Sequence, residues 1–110
     1  MSRTHKMIDV ATAGADVDSD VIVCQHDYDE AGLYQVSVTA GTITNVLFFG
    51  RLGSDHAWEQ VATSGAMDTS TGDSPHAGRG VKIAAITIYP QMYVTLDVNS
   101  SPSCTISIME

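Results

Sequence analysis

The sequence predicts an all-β protein, an antiparallel β-sandwich of jelly-roll or immunoglobulin-like type with about seven strands. Three observations carry that prediction. Several short segments alternate apolar and polar residues with period two, the mark of a half-buried strand. Clusters of Gly, Ser, Asp and Pro separate them. No stretch carries apolar residues at helical spacing over a helix's length.

Residues 1–19 read as an N-terminal arm or leading loop, because Ala11 to Asp20 (ATAGADVDSD) is small and acidic without a period. The sandwich domain is expected over 20–110. Its first strand is Asp20 to His26 (DVIVCQH), rich in β-branched residues. In Leu33 to Thr39, Tyr34, Val36 and Val38 share one face, and Gln35, Ser37 and Thr39 the other. Ala40-Gly41 reads as a break. Ile43 to Arg51 is apolar on both faces and so reads as a central strand. Leu52-Gly53-Ser54-Asp55 is a hairpin-like turn, from which His56 to Ala62 returns. Thr63 to Gly80 is a long irregular stretch and the best candidate for an interaction element. Val81 to Tyr89 is a buried strand. Met92, Val94, Leu96 and Val98 alternate along the next one, and Cys104, Ile106 and Ile108 along the last.

The chain has 110 residues, 44% of them hydrophobic and 16% charged, with a net charge of −8. One domain of this size holds a core without metals or disulfides. The acidic balance argues against nucleic acid, whose phosphates need a basic face, and against anionic membranes. It suits docking on a basic partner surface. No signal peptide is visible, and the apolar runs are too short to span a bilayer. The expected site of production and assembly is therefore the cytoplasm. Cys24 and Cys104 lack CxxC spacing and read as small buried hydrophobes; a disulfide between them would close most of the chain.

Catalytic chemistry is not legible. His5, His26, His56 and His76 show neither HxH nor HExxH spacing, and there is no GxSxG elbow. Asp16-Val17-Asp18-Ser19-Asp20 opens like an EF-hand loop, but Val21 stands where Gly is needed and Asp27 where Glu is needed. A looser Ca²⁺ site would need Asp27, Asp29 or Glu30. The plainer reading is a solvated acidic turn. Glu59 beside Trp58 hints at a sugar platform, yet a single tryptophan on a strand is more often a core or interface anchor. The glycines at 72, 78 and 80 precede no helix and make no phosphate loop. No enzyme, cofactor or metal is expected.

The second half of the chain resembles small β-sandwich structural proteins of tailed bacteriophages. The order is Val36-Ser37-Val38, then Leu47-Phe48-Phe49-Gly50-Arg51, a Gly53-Ser54-Asp55 turn, Trp58 and Val61. A variable loop follows, then Pro90, Tyr93 to Val98, and a closing Ile106-Ser107-Ile108 strand. In such proteins a G-S-x-D-G-x-x-W hairpin precedes a P-x-Y-x-R-x-x-V strand. This chain departs from that pattern by lacking the Asp-Gly pair and by placing Thr95 at the Arg position.

The resemblance implies a virion structural protein, foremost a capsid decoration or cement protein packed on the major capsid protein, or else a neck, tail or baseplate component. It implies a symmetric homo-oligomer, with a trimer favoured, located in the virion. The candidate interface residues are Arg3, Lys6, Met7, Trp58, Met67, His76 and Arg79. The reading from another class is a carbohydrate-binding module, which needs exposed aromatics on one face, with Trp58, Tyr89 and Tyr93 the foremost candidates.

Overall fold

In the computed structural model, residues 3–25, 30–72 and 74–110 are described. The strands are β1 (Thr4–Val10), β2 (Val17–Asp18), β3 (Ile22–Val23), β4 (Glu30–Arg51), β5 (Glu59–Thr63), β6 (Met67–Asp68), β7 (Val81–Ile88) and β8 (Gln91–Met109). All the pairings between them are antiparallel, and no helix occurs among the described residues.

Two long strands organise the molecule. β4 and β8 pair along almost their whole length, and register shifts between Val38 and Asn45 bend them. At the bend Gly41 has φ 72° and Ser101 has φ 39°. A Cβ on Gly41 would lie 2.2 Å from the Ser100 carbonyl oxygen, so only glycine fits there. The bend divides one ladder into two layers, as in sandwiches whose strands switch sheets through bulges. In the first layer the early half of β4 lies between β7 and the late half of β8, which β1 flanks. In the second, the late half of β4 lies between β5 and β6 and the early half of β8, flanked by β2 and β3.

The layers meet through their inward side chains. Tyr34, Val36, Val38, Ile86, Ile88, Ile106 and Ile108 come from one layer, and Ile43, Val46, Phe48, Met92, Val94 and Leu96 from the other. The Tyr34 and Phe48 rings have centroids 4.4 Å apart, and the Tyr34 hydroxyl donates across the gap to the Thr63 carbonyl at 3.4 Å. The predicted sandwich is therefore present.

Three expectations change in detail. The expected break at Ala40-Gly41 is a bend within β4, and NSSPS is a bend within β8, so four expected strands become two long ones. The expected strand over Asp20 to His26 shrinks to β3, with Val21 50% and Val23 62% exposed, because it pairs only with the margin of β8. His26 itself, like Asp27 and Asp29, lies outside the described residues.

The third concerns residues 1–19, which are not a free arm. β1 pairs with β8 from Thr4 opposite Met109 to Val10 opposite Cys104. The Ala13 amide then donates to the Pro102 carbonyl at 2.9 Å, Asp16 Oδ1 accepts the Val98 amide at 3.0 Å, and the Ser19 amide donates to the Val94 carbonyl at 2.8 Å. Cys24 closes the series with a bond from its amide to the Pro90 carbonyl at 2.9 Å. The N-terminal segment thus runs antiparallel along β8 from its end to its beginning, covering an edge that would otherwise expose unpaired backbone. A register shift between Lys6 and Ile8 explains why the sequence hides β1. It moves the inward set from His5 to Ile8 and Val10, which breaks the period-two pattern.

Candidate functional site

Antiparallel partners point to the same face of a sheet. Since Phe48, Met92 and Val94 point inward, Leu47, Phe49 and Arg51 of β4 point outward, as do Gln91, Tyr93 and Thr95 of β8. This outer face of the second layer carries an aromatic group. Phe49 and Tyr93, directly opposed, stack with centroids 4.8 Å apart and planes 11° apart. Trp58, arriving just before β5, meets Tyr93 edge-on at 4.7 Å. The Arg51 guanidinium lies 4.1 Å from the Trp58 ring centre, and its Nε donates to Gln91 Oε1 at 2.8 Å. All five side chains are partly exposed.

Beside this group is a cleft of about 150 Å³ lined by Arg51, Leu52, His56, Ala57, Glu59 and Tyr89. Arg51 is common to both. Tyr89 packs on the backbone of Gly50, where a Cβ would fall 2.6 Å from its ring. The sequence reading named Trp58, Tyr89 and Tyr93 as candidate exposed aromatics; Trp58 and Tyr93 meet on the outer face beside Arg51, whereas Tyr89 packs on the inward side of Gly50 and against the core. It missed Phe49, Arg51 and Gln91. Their outward direction follows from the phase of β4 and β8, and apolar residues on both faces of β4 concealed that phase.

The remaining candidate residues are scattered. Arg3 is exposed, and its carbonyl accepts the Glu110 amide at 2.9 Å. Lys6 is exposed and lies 3.6 Å from Asp9. Met7 is half-buried against the core. Met67 corrects the expectation: it is 2% exposed, pairs with Ile43 and offers no surface to a partner. His76 and Arg79 sit in the turn before β7, where the Arg79 amide donates to the His76 carbonyl at 3.1 Å.

The Thr63–Gly80 stretch is anchored rather than loose. Asp68 Oδ1 accepts from the Ser70 amide at 2.8 Å, the Ser70 hydroxyl at 2.6 Å and the Thr71 hydroxyl at 3.2 Å. The Ser70 bonds, with help from Thr71, hold the Asp68 carboxyl below its ordinary value of 3.8. The buried Gly80 donates to the Thr71 carbonyl at 2.6 Å and accepts from the Val38 amide at 2.7 Å.

The acidic segment is likewise tied down, with Asp18 Oδ1 accepting from the Thr95 hydroxyl at 2.8 Å. Both cysteines are free and buried. Burial, then the charge of Glu110, pushes the Cys24 thiol up to about 11, against an opposing effect of Arg3. Burial and then Asp9 push Cys104 up as well. With no metal bound, both thiols keep their protons at neutral pH.

No protein-family profile matches the sequence, and no curated protein matches it. Among solved structures the chain is similar to CBM32-3, a carbohydrate-binding module from a family 31 glycoside hydrolase of Clostridium perfringens. The likeness covers 90% of this chain and 70% of that one, with a TM-score of 0.52 and 13% identity. It is a likeness of fold.

Proposed function

We propose that this protein binds carbohydrate through the outer face of its second layer. The observation that carries the proposal is the Phe49–Tyr93–Trp58 group with Arg51 and Gln91 beside it. A pyranose ring has apolar C–H faces and a rim of hydroxyls. Aromatic rings accept the former, and Arg51, Gln91, His56 and Glu59 supply donors and acceptors for the latter. The fold likeness to a carbohydrate-binding module supports the same reading. A glycan array probed with the intact chain tests it. Binding is expected in the wild type and lost in Trp58→Ala and Tyr93→Ala. An array without a single reproducible hit would remove the proposal.

A second reading, a virion structural protein packed on a capsid protein, draws support from a different surface. On the outer face of the first layer Leu33, Ile83 and Met109 are 40%, 38% and 37% exposed. They line a groove of about 180 Å³ together with Thr4, Gln35 and Ser107. These three apolar side chains in one groove are what supports the docking reading. Mass spectrometry of purified particles tests this reading, and absence of the chain from them would exclude it.

A further inference from the structure

At the end of the sandwich opposite the bend, the two layers are closed by residues from three parts of the chain. His5 comes from β1 opposite Ile108, so it points inward. Glu110 follows Met109 and continues the inward set Cys104, Ile106, Ile108. Cys24 arrives just after β3, from the second layer. His5 Nε2 lies 2.5 Å from Glu110 Oε2, and the Gln25 amide donates to Glu110 Oε1 at 2.7 Å. The Glu110 side chain is 0% exposed and that of His5 14%. The His5 nitrogen, the Cys24 sulfur and a Glu110 oxygen all lie within 4.8 Å of one another. This is the one group of three or more such donors among the described residues.

We infer that His5, Cys24 and Glu110 form a binding site for a zinc-type divalent ion that clasps the two layers together. Imidazole, thiolate and carboxylate are the three donor types zinc takes, with bonds of about 2.0–2.3 Å. Donors around a tetrahedral ion stand about 3.3–3.6 Å apart. The His5–Glu110 pair, 2.5 Å apart, opens by about 1 Å to admit the ion, and the Cys24 sulfur is already within 4.8 Å of both. The ion displaces the thiol proton, which is released to solvent, and it takes His5 as a neutral imidazole through Nε2, with the ring proton on Nδ1. Glu110 keeps its bond from Gln25, which orients the carboxylate as second partners of metal ligands do. The fourth position falls to water on the side where His5 reaches solvent. The ion adds a link between the ends of the chain, β1 and the last residue on one side and the residue after β3 on the other.

The test uses the intact chain, stripped with a chelator and then titrated with Zn²⁺ or Co²⁺. Zinc at a hundredfold excess over its dissociation constant is expected to raise Tm by about 10 °C. Cobalt is expected to give a thiolate-to-metal charge-transfer band. That band persists in Cys104→Ala and disappears in Cys24→Ala. Glu110→Gln, which keeps the shape of the carboxyl, weakens zinc about tenfold or more and guards against loss of fold in the Cys24 variant. Absence of both the Tm shift and the cobalt band in the wild type overturns the inference. So does metal affinity left unchanged in Cys24→Ala and Glu110→Gln. Glycan binding rests on other residues and is read separately.

Discussion

Replacing Trp58 by alanine separates a surface aromatic from a core one, and the structure sets the size of the effect. Two contacts end with the indole: the edge-on meeting with Tyr93 and the cation–π contact with Arg51. An aromatic pair contributes about 0.5–1.5 kcal/mol beyond its buried area, and an exposed cation–π contact about 0.5–1 kcal/mol. Trp58 is partly exposed, so alanine opens no sealed cavity. The cost expected is therefore about 1–3 kcal/mol, below the ~3–5 kcal/mol of a buried aromatic. For a domain of this size that is a Tm decrease of about 5–15 °C. Carbohydrate affinity should fall much more in relative terms, by about tenfold or more, since one of three platform rings is gone; tenfold is about 1.4 kcal/mol. Urea unfolding and glycan titration on the same sample give both quantities. A stability loss above about 4 kcal/mol would place Trp58 in the core and refute the surface argument. A folded variant with unchanged glycan affinity would refute its role in binding.

Three further outcomes follow from the same structure. Deleting residues 1–16 removes β1, strips Ile8 from the core and uncovers the edge of β8, so the truncated chain is expected to be largely unfolded by circular dichroism; a native-like melt would show that β1 is dispensable. Gly41→Ala should cost more than the ~1–2 kcal/mol of a left-handed non-glycine residue, because its Cβ also meets Ser100 and Pro102; equal urea midpoints for variant and wild type would contradict this. The Asp68 carboxyl titrates below 3.8 in the fold, so the stability it adds is complete above that pH and is lost as pH falls through the folded value. Asp68→Asn should flatten that part of the acid limb of Tm against pH, and a limb of unchanged slope would speak against it.

The sequence displays the sandwich where inward and outward residues differ in kind. Tyr34-Val36-Val38 against Gln35-Ser37-Thr39, and Met92-Val94-Leu96 against Tyr93-Thr95-Asp97, alternate in the sequence and in the fold. What is hidden lies where a backbone irregularity resets the phase. The shift between Lys6 and Ile8 conceals β1, and those between Val38 and Asn45 make a continuous strand look broken. Both depend on partners more than fifty residues away, and no local window contains them. The aromatic face was half legible. Trp58 and Tyr93 stand out by type, but that they meet depends on the pairing of Phe49 with Tyr93 across β4 and β8. Glu110 was not legible at all, because its inward direction follows from the alternation along β8 and its partners His5 and Gln25 stand 105 and 85 residues away in the sequence.

The two outer faces make the competing functional readings separable. The layers pack through their inner faces, so the aromatic group and the Leu33–Ile83–Met109 groove point to opposite sides of the sandwich. Substitutions on the two faces share no partners, and such changes add in their effects. Ile83→Asp places a charge in the groove on a side chain already 38% exposed, so the fold tolerates it while apolar docking there does not. If the chain binds glycan, Ile83→Asp leaves that affinity intact and Trp58→Ala abolishes most of it. If the chain docks on a protein through the groove, the pattern reverses. A chain that did both would lose one function with each variant and keep the other, because its bent β4 carries Leu33 at one end and Phe49 at the other.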